Sequence, residues 1–412
     1  MSPTIVACDV CRRLVLGEKH DFGSAASSEA ECAICLGLMN KEFLRRICDE
    51  TTSQIDASSY DCRTFRVAVS MPTSVQLREY LLDAMQPKPN GILAQTPMKL
   101  RALNALLDVT VYVEQTQFDA DDAEFVRTYA WKAPNVEGFP LTFRLELCHD
   151  TICIAGRYLK FSRSTPQSRW TDREDDDFAQ KAVGTSVSER ICGPLKQWFS
   201  AAETRFVASG REDVDVRMLG TGRPFVVFVD DPHTAAQLRG GAGRTTALWL
   251  AEKERELNVA TAPDVRVRDL TRVSREVADT LGAQDTDKRK TYTALCVART
   301  PIPKEKWDAL TGPVEVVQRT PVRVLRRRAL LDRPRTVHSL RAVPIDERRA
   351  LVRMVTQAGT YVKEFVSGDF GRTRPSLAEL LDMPPGHTDL IELDVQHVDV
   401  DWPPTADVVK DL

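Results

Sequence analysis

The spacing of apolar residues divides the chain into short helices and strands. Apolar side chains recur at helical spacing over 187–202, where Ile191 and Leu195 share one face, and this predicts a helix. Strands are predicted for 206–210 and for the continuous apolar run Pro-Phe-Val-Val-Phe-Val over 224–229. The helix therefore leads directly into a pair of strands.

Four more elements are predicted toward the C-terminus. They are a strand that contains Tyr292, a strand over 320–328 whose charges alternate outward, a helix that begins with Thr360 as its N-cap, and a final strand over 390–395. Nearer the N-terminus the spacing predicts a helix over 36–48 and strands over 65–71, 108–114 and 141–148, which give a mixed α+β region.

A charged turn separates the strands predicted at 206–210 and 224–229. It reads Gly-Arg-Glu-Asp-Val-Asp-Val-Arg over 210–217 and places the carboxylate of Asp213 close in sequence to Arg211. Charged residues pack poorly into a core, whereas loops on a rigid sheet commonly carry functional residues. We therefore interpret Asp213 as a candidate catalytic carboxylate. The alternative is that Asp213 only pairs with Arg211 across the turn.

The composition is that of a globular protein, and we expect it to stay inside the cell. The 412 residues exceed one ordinary domain, so two or three domains are expected. The first residues lack the basic start and apolar run of a secretory signal, and no apolar run approaches the roughly 20 residues that span a bilayer. We expect reduced thiols, no membrane contact, and a location in the nucleus, the cytoplasm or both.

Although the whole chain has a net charge of −3, part of its C-terminal half is basic. Residues 321–374 contain 12 arginines and one lysine against three aspartates and two glutamates, a local net charge of +8. A basic region within an otherwise acidic chain indicates a localised contact with a polyanion.

Four cysteines near the N-terminus have the spacing of a metal site. Cys8 and Cys11 form one Cys-x-x-Cys pair, and Cys32 and Cys35 form a second pair about 20 residues later. Two such pairs can supply four thiolates to one tetrahedral zinc ion, with no ligand position left for water. The sequence therefore predicts a structural zinc site that stabilises a segment with little core of its own. Four unrelated thiols or a redox pair are the alternatives.

Cations alternate with aromatic residues over 156–163, which reads Gly-Arg-Tyr-Leu-Lys-Phe-Ser-Arg. Cationic side chains suit phosphate contacts, and aromatic rings suit base stacking. We interpret Arg157, Tyr158 and Arg163 as candidate RNA contacts. The alternative is an exposed loop whose aromatic residues anchor it to the core.

Tyr292 and Lys363 are further candidates for the site, each with an ordinary alternative. Tyr292 is either a core tyrosine with its hydroxyl at the sheet edge or a stacking platform at the mouth of a site. Lys363 lies in the first turn of a predicted helix, where a cation opposes the helix dipole. This unfavourable position suggests that Lys363 pairs with a carboxylate, and a solvated lysine is the alternative.

Five motifs in the C-terminal half together indicate a family. They are Gly-Arg-Glu-Asp-Val-Asp-Val-Arg (210–217), Lys-Thr-Tyr-Thr-Ala-Leu (290–295), Arg-Thr-Pro-Val-Arg-Val-Leu (319–325), Gln-Ala-Gly-Thr-Tyr-Val-Lys-Glu-Phe-Val-Ser-Gly-Asp-Phe-Gly-Arg-Thr (357–373) and Val-Asp-Val-Asp-Trp-Pro-Pro (398–404). This set resembles the archaeal and eukaryotic tRNA pseudouridine synthases of family ten, which modify positions 54 and 55 of the T loop. The paired cysteines and the Gly-Arg-Tyr at 156–158 also resemble the N-terminal half of that family.

The resemblance implies a fold and a set of binding partners. It implies a four-cysteine zinc module over 1–50, a THUMP-containing RNA-binding accessory domain over 51–195, and a catalytic domain over 196–412. The catalytic domain is expected to have a mixed, largely antiparallel sheet and a central cleft. The implied partners are structural zinc and the T arm of tRNA, with no organic cofactor, and we expect a monomer.

The resemblance also implies roles for individual residues. Asp213 takes the catalytic position, Tyr292 the position that stacks on the flipped base, and Lys363 the position that pairs with the aspartate. One departure is Ser367, where many members have histidine, and this puts an RNA contact at that point in doubt. Four further residues of these motifs are candidate substrate contacts: Arg211, Arg323, Arg372 and the apolar Phe365.

The implied reaction is the isomerisation of uridine to pseudouridine at position 55 of tRNA, with position 54 as a second target. It requires base flipping and one ionised carboxylate, which either attacks covalently or removes a sugar proton. Two other functions remain open at this point. One is a non-catalytic RNA-binding or processing factor on the same scaffold, and the other is a metal-dependent hydrolase with Asp213 and Asp215 as ligands.

Overall fold

The chain forms two compact units, one of residues 1–150 with 233–235 and one of residues 151–232 with 236–412. Each unit contains its own β-sheet. The computed structural model describes residues 8, 11, 32, 35, 37–61, 65–70, 72, 75, 107–115, 141–169, 186–235, 238, 246–283, 288–326 and 328–404.

The first unit is built on a three-stranded sheet of β1 (Phe65–Ser70), β2 (Leu107–Gln115) and β3 (Leu141–His149). Strand β1 is parallel to β2, and β3 is antiparallel to β2. Helix α1 (Lys41–Ala57) begins after Asn40, whose side-chain oxygen accepts hydrogen bonds from the first turn.

The four paired cysteines and the sheet of the first unit share one hydrophobic core. Cys8, Cys11, Cys32 and Cys35 are buried together with Phe43 of α1 and with apolar residues of β2 and β3. The cysteine segment therefore packs with residues that were predicted to belong to a separate domain over 51–195.

The second unit contains ten strands within the described residues. They are β4 (Ile152–Lys160), β5 (Ala201–Ala208), β6 (Arg217–Pro232), β7 (Val265–Val273), β8 (Lys290–Ala298), β9 (Val314–Arg319), β10 (Asp332–Pro344), β11 (Arg349–Thr356), β12 (Thr373–Arg374) and β13 (Thr388–Val398).

These strands form one sheet in the order β12-β9-β10-β11-β8-β13-β6-β4-β7, with β5 also paired to β6. The pairing of β13 with β6 is parallel, and the other strand pairs of this sheet are antiparallel. The prediction of a mixed, largely antiparallel sheet is therefore confirmed.

Short helices cover parts of this sheet. They are α2 (Val187–Trp198), α3 (Thr246–Thr261), α4 (Arg275–Ala283), α5 (Lys304–Asp308), α6 (Val362–Ser367) and α7 (Leu377–Leu380). Ser186 and Glu189 form a capping box at the start of α2, which satisfies backbone N–H groups of its first turn. Among the residues with described placement, no helix is long and apolar enough to cross a membrane.

The division into units differs from the predicted domain boundary at 195/196. Strand β4 lies in the large sheet, between β6 and β7, although its sequence was placed in the accessory domain. Both of its edges are paired, and its residues are nearly all buried, so both faces of the strand are covered. The second unit thus begins 45 residues before the predicted start of the catalytic domain at residue 196.

Two local predictions are wrong. Residues 320–328 were predicted as a strand, but β9 ends at Arg319 and a short 3-10 turn, Val322–Val324, follows it. Thr360 was predicted to cap α6, but Tyr361 holds the N-cap position. The Thr360 hydroxyl donates instead to the carbonyl of Gln357, at 2.8 Å.

Two glycines let β6 pair with different neighbours along its length. The first residues of β6 pair with β13, and 225–232 pair with β5. Between these segments Gly220 and Gly222 have positive φ angles of 57° and 77°. A Cβ on Gly220 would lie 2.0 Å from the backbone oxygen of Gln396, so a side chain cannot be accommodated there.

We predict that Gly220→Ala lowers the free energy of unfolding by at least about 2 kcal/mol, because the new Cβ meets backbone and the φ angle is left-handed. Urea denaturation measures this change. Gly193→Ala in α2 is the matched control, since a Cβ there meets no atom within 4 Å. Equal unfolding midpoints for Gly220→Ala and the parent chain would contradict the prediction.

Candidate catalytic site

The loop between β5 and β6 presents Asp213 to solvent. At its start the backbone N–H of Ser209 donates to the carbonyl of Pro224, at 3.0 Å, and Gly210 turns the chain with a φ of 79°. At its end the N–H of Val216 donates to the carbonyl of Asp213, at 3.1 Å. The side chain of Asp213 keeps 41% of its surface exposed, so it is accessible to a substrate.

Two cations hold the carboxylate of Asp213. Lys363 Nζ lies 3.1 Å from it, and Arg323 NH1 lies 3.2 Å from it. Lys363 also donates to both carboxylate oxygens of Asp215, at 2.7 and 2.8 Å. Arg323 Nε donates to the buried carboxylate of Glu364, at 2.7 Å. We call Asp213, Lys363 and Arg323 the catalytic cluster of this candidate site, and Asp215 and Glu364 pair with its two cations.

The catalytic cluster favours ionised carboxylates. Partial burial works against ionisation of Asp215, but the hydrogen bond and charge of Lys363 outweigh it and lower the pKa of this carboxyl. The prediction that Lys363 pairs with a carboxylate is therefore confirmed. A half-exposed carboxylate between cations can attack an electrophilic carbon or accept a proton.

The same geometry argues against a metal-dependent hydrolase. The Lys363 ammonium contacts both Asp213 and Asp215, at the position where a shared metal ion would bind. Among the described residues, the group of three or more candidate ligands that converges on one point is the cysteine cluster. Asp213 and Asp215 are thus better explained as partners of lysine than as metal ligands.

A buried ion pair supports the loop. Arg223 Nε donates to Glu212, at 2.7 Å, and the side chains are only 2% and 1% exposed. The hydroxyl of Tyr158 donates to the same carboxylate, at 2.8 and 2.9 Å from its two oxygens. Burial and the charge of Glu212 raise the pKa of Tyr158, so its hydroxyl stays a donor. Each of these polar groups has a partner, as burial requires.

The buried pair is joined to the loop backbone by further hydrogen bonds. Arg223 NH1 donates to the carbonyl of Ser209, at 2.8 Å. Gln167 Nε2 donates to the carbonyl of Gly210, at 2.9 Å, and to the hydroxyl of Tyr158, at 2.8 Å. The start of the loop is therefore fixed from within the protein.

Lys160 fixes the centre of the loop. It is fully buried at the end of β4, and its ammonium donates to the carbonyls of Thr165, Asp213 and Val214, at 2.9, 3.1 and 2.8 Å. Burial lowers the pKa of Lys160 to about 8, although nearby carboxylates oppose this effect. The three acceptors match the three donors of an ammonium group.

Tyr292 lies on β8, in the middle of the large sheet. It is in register with Val395 of β13, which is in turn paired with Met218 of β6, five residues after Asp213. Residues paired in this way share one face of a sheet. Tyr292 also interacts electrostatically with the buried guanidinium of Arg223. It therefore belongs to the same region of the sheet as the loop.

Three predicted substrate contacts are instead parts of the core. Arg157 is buried, and its guanidinium donates to the carbonyls of Trp402, Gly222 and Val400. Tyr158 is fully buried against Glu212, and Phe365 is fully buried in α6. The predicted RNA contacts of Arg157 and Tyr158 are contradicted, because their polar atoms bind other parts of the protein.

The other predicted contacts are at least partly accessible. Arg163 binds the carboxylates of Glu392 and Asp394, both at 2.7 Å, and Arg372 donates to the carbonyl of Thr320, at 2.7 Å. Arg211 is exposed, and its side chain makes no hydrogen bond or ion pair with another described residue. Asp213 is therefore held by Lys363, as the sequence suggested, and by Arg323, which takes the place that the sequence offered to Arg211.

Sequence reasoning missed Lys160 and Arg223 as supports of the loop. The alternation of cations and aromatic residues over 156–163 was attributed to an exposed surface, but residues 156–160 belong to β4, which is paired on both edges. The detectable signal was the continuous apolar character of 152–155, which marks a strand covered on both faces.

The four N-terminal cysteines converge on one point. Their sulfur atoms all lie within 4.8 Å of one another, with Cys8 Sγ and Cys35 Sγ 3.9 Å apart. A tetrahedral zinc–thiolate site with bonds of about 2.3 Å places sulfurs roughly 3.8 Å apart. The Cys35 N–H donates to Cys32 Sγ, as expected where a tight turn supplies two ligands. These residues fit a four-thiolate metal site.

Comparison with known proteins gives consistent matches over most of the chain. The family model described as "Pus10, C-terminal" matches residues 153–399. Human and mouse proteins named "tRNA pseudouridine synthase Pus10" are 30% and 39% identical over 93% and 95% of this chain, in each case 82% of the relative. The protein of that name from the archaeon Methanothrix thermoacetophila is 32% identical over 97% of this chain and 82% of its own length.

Solved structures give a weaker match. The crystal structure of a Cbf5-Nop10-Gar1 complex is similar with a TM-score of 0.29 and 14% identity, over 59% of this chain and 58% of that chain. This similarity is too low to support an inference about the site.

We predict that Lys160 makes the unfolding free energy depend on pH. Its pKa is about 8 in the folded chain and 10.5 ordinarily, so between these values the unfolded chain binds more protons and folding is favoured as pH rises. The unfolding free energy of the parent chain should rise by about 2–3 kcal/mol relative to Lys160→Met between pH 7 and pH 10. Urea titrations of both proteins measure this difference. A difference in unfolding free energy between the two proteins that stays constant from pH 7 to pH 10 would contradict the lowered pKa of Lys160.

Proposed function

Because this chain belongs to the Pus10 family of tRNA pseudouridine synthases, we propose that it isomerises uridine in the T loop of tRNA with Asp213 as the catalytic carboxylate. The activity follows from the family. The catalytic role rests on one observation, the half-exposed carboxylate of Asp213 held between Lys363 and Arg323. Position 55 is the first candidate target and position 54 the second.

The reaction exchanges one bond to the sugar for another. The C1′–N1 bond breaks, the uracil rotates, and a C1′–C5 bond forms, while C5 loses a proton and N1 gains one. Atoms and electrons balance without an oxidant, a reductant or an organic cofactor. The target base must first leave its stack, and a partly exposed tyrosine such as Tyr292 suits stacking on the flipped uracil.

The catalytic cluster would act through charge. The Asp213 carboxylate either attacks C1′ or removes a proton from the sugar, and both routes need it ionised. Lys363 and Arg323 favour the ionised form and orient it. The buried supports at Lys160 and Glu212 limit movement of the loop, so that the carboxylate is positioned before the substrate arrives.

The basic residues around the cluster would bind the phosphates of the T arm. Arg211, Arg326 and Arg328 are exposed, and their side chains lack ionic partners within the described parts of the chain. Unpaired guanidinium groups are suited to phosphate and would make tRNA affinity depend strongly on salt. A monomer suffices for this arrangement, since the residues of the catalytic cluster come from one chain.

The first unit would assist in RNA binding as a THUMP-containing accessory region with a zinc ion bound to its cysteines. Thiolates at Cys8, Cys11, Cys32 and Cys35 would hold the ion and add to the stability of the small core that they share with Phe43. The ion would have a structural role.

We predict that Asp213→Asn lowers the rate of pseudouridine formation at least about 100-fold, because the amide can neither attack nor accept the proton. Affinity for unmodified tRNA transcript should change no more than about threefold. Rates come from pseudouridine mapping and affinities from filter binding.

Asp215→Asn is the matched control for this prediction. It removes the other carboxylate that pairs with Lys363 and should keep the rate within about tenfold of the parent. Retained turnover in Asp213→Asn would contradict the catalytic role. Tight tRNA binding by the parent chain without any modified product would favour the alternative, a non-catalytic RNA-binding factor.

We predict one zinc ion per chain and its loss in Cys32→Ser, because three thiolates bind zinc far more weakly than four. The first unit should then become sensitive to protease. Elemental analysis of the purified protein measures the metal content. Cys48→Ser is the control, since Cys48 is exposed and lies outside the cluster. A parent chain without zinc, or a Cys32→Ser variant that retains it, would contradict the site.

A further inference from the structure

Phe370 is a large aromatic residue that the fold leaves in solvent. It is 95% exposed and lies in the 3-10 turn Asp369–Gly371, directly after α6. Its backbone is left-handed, with φ 55° and ψ 34°, and the preceding Asp369 has a φ of 42°. Residues with side chains rarely adopt this conformation, and full exposure of an aromatic ring leaves much apolar area in water.

Neighbouring contacts hold the turn in this strained shape. The carboxylate of Asp369 accepts a hydrogen bond from the backbone N–H of Val322, at 3.2 Å, and lies 3.6 Å from the guanidinium of Arg372. The flanking glycines Gly368 and Gly371 have φ angles of 78° and 82°, which favour glycine. Strain that the surroundings maintain in this way commonly marks a functional site.

The turn is connected to the catalytic cluster on two sides. The backbone N–H that Asp369 binds belongs to the residue before Arg323, which pairs with Asp213. On the other side, α6 carries Lys363 and ends at Ser367, three residues before Phe370. Lys363 and Ser367 are separated by roughly 6 Å along the helix axis. Phe370 therefore lies close enough to the candidate catalytic carboxylate for one RNA segment of a few nucleotides to contact both.

The surface next to the turn is basic. Arg326 and Arg328 follow the 3-10 turn Val322–Val324, both are exposed, and within the described residues their side chains have no acidic partner. A phosphate backbone that passes these arginines would bring its unpaired bases toward an exposed ring. The charge therefore favours RNA over an apolar protein segment as the occupant.

We propose that Phe370 stacks on an unpaired base of the RNA substrate, outside the position that Asp213 modifies. An exposed aromatic ring beside guanidinium groups provides a surface for the base and cations for the phosphates, which single-stranded RNA requires. The rigid turn holds the ring in place before binding and so reduces the entropy lost on association. The proposal rests on the proposed function, because it takes RNA to be the substrate.

The test compares Phe370→Ala and Phe370→Trp with the parent chain, using an unmodified tRNA transcript. Loss of one stacked base should raise the dissociation constant and the KM of Phe370→Ala roughly 5- to 100-fold. Phe370→Trp keeps an aromatic ring and should therefore keep most of the affinity of the parent chain. Stacking does not release counterions, so the ratio of the two variants' dissociation constants should stay the same when salt is raised from about 50 to 200 mM. The unfolding midpoint should not change, because the side chain packs against little.

Val259→Ala in α3 is the matched control, since Val259 is an apolar residue that is 81% exposed, and its tRNA affinity should equal that of the parent. A dissociation constant of Phe370→Ala within twofold of the parent would overturn the proposal and point to a protein partner for this ring. Absence of pseudouridine with the parent chain would contradict only the proposed function, because the binding comparison does not depend on catalysis.

Discussion

The buried ion pair between Glu212 and Arg223 is the interaction on which the site depends. Glu212 directly precedes Asp213 in sequence, and both side chains of the pair are almost fully shielded from water. Burying two charges is costly unless their hydrogen bonds are satisfied, and here Tyr158 and backbone carbonyls complete the network. Removing one partner would leave a buried charge, so the network ties the conformation of the loop to the packing of the sheet.

The loop thus combines a rigid interior with a reactive exterior. Lys160 and Arg223 hold its backbone from inside, while Lys363 and Arg323 hold the Asp213 carboxylate from outside. The outer pairs are partly exposed and contribute little to stability, so their effect is on the charge and direction of the carboxylate. Lys160 and Arg223 therefore stabilise the loop, whereas Lys363 and Arg323 act on its carboxylate.

The features of the fold and the site that could be predicted from sequence were those marked by short sequence motifs. Paired cysteines converge on one point, and the motif residues Asp213 and Lys363 meet although they are 150 residues apart. The roles of Arg157 and Tyr158 were not predictable, because their burial depends on strand partners from distant segments. A polar residue on a central strand has the same local sequence as one on an exposed edge, and only tertiary pairing separates the two cases.

The measurement that tests the central claim most directly is the mapping of pseudouridine, nucleotide by nucleotide, in an unmodified tRNA transcript after incubation with the purified full chain. We expect pseudouridine at position 55 of the T loop, with or without position 54, and none without the protein. A transcript that binds the chain but carries no pseudouridine, or carries it only outside the T loop, would contradict the account.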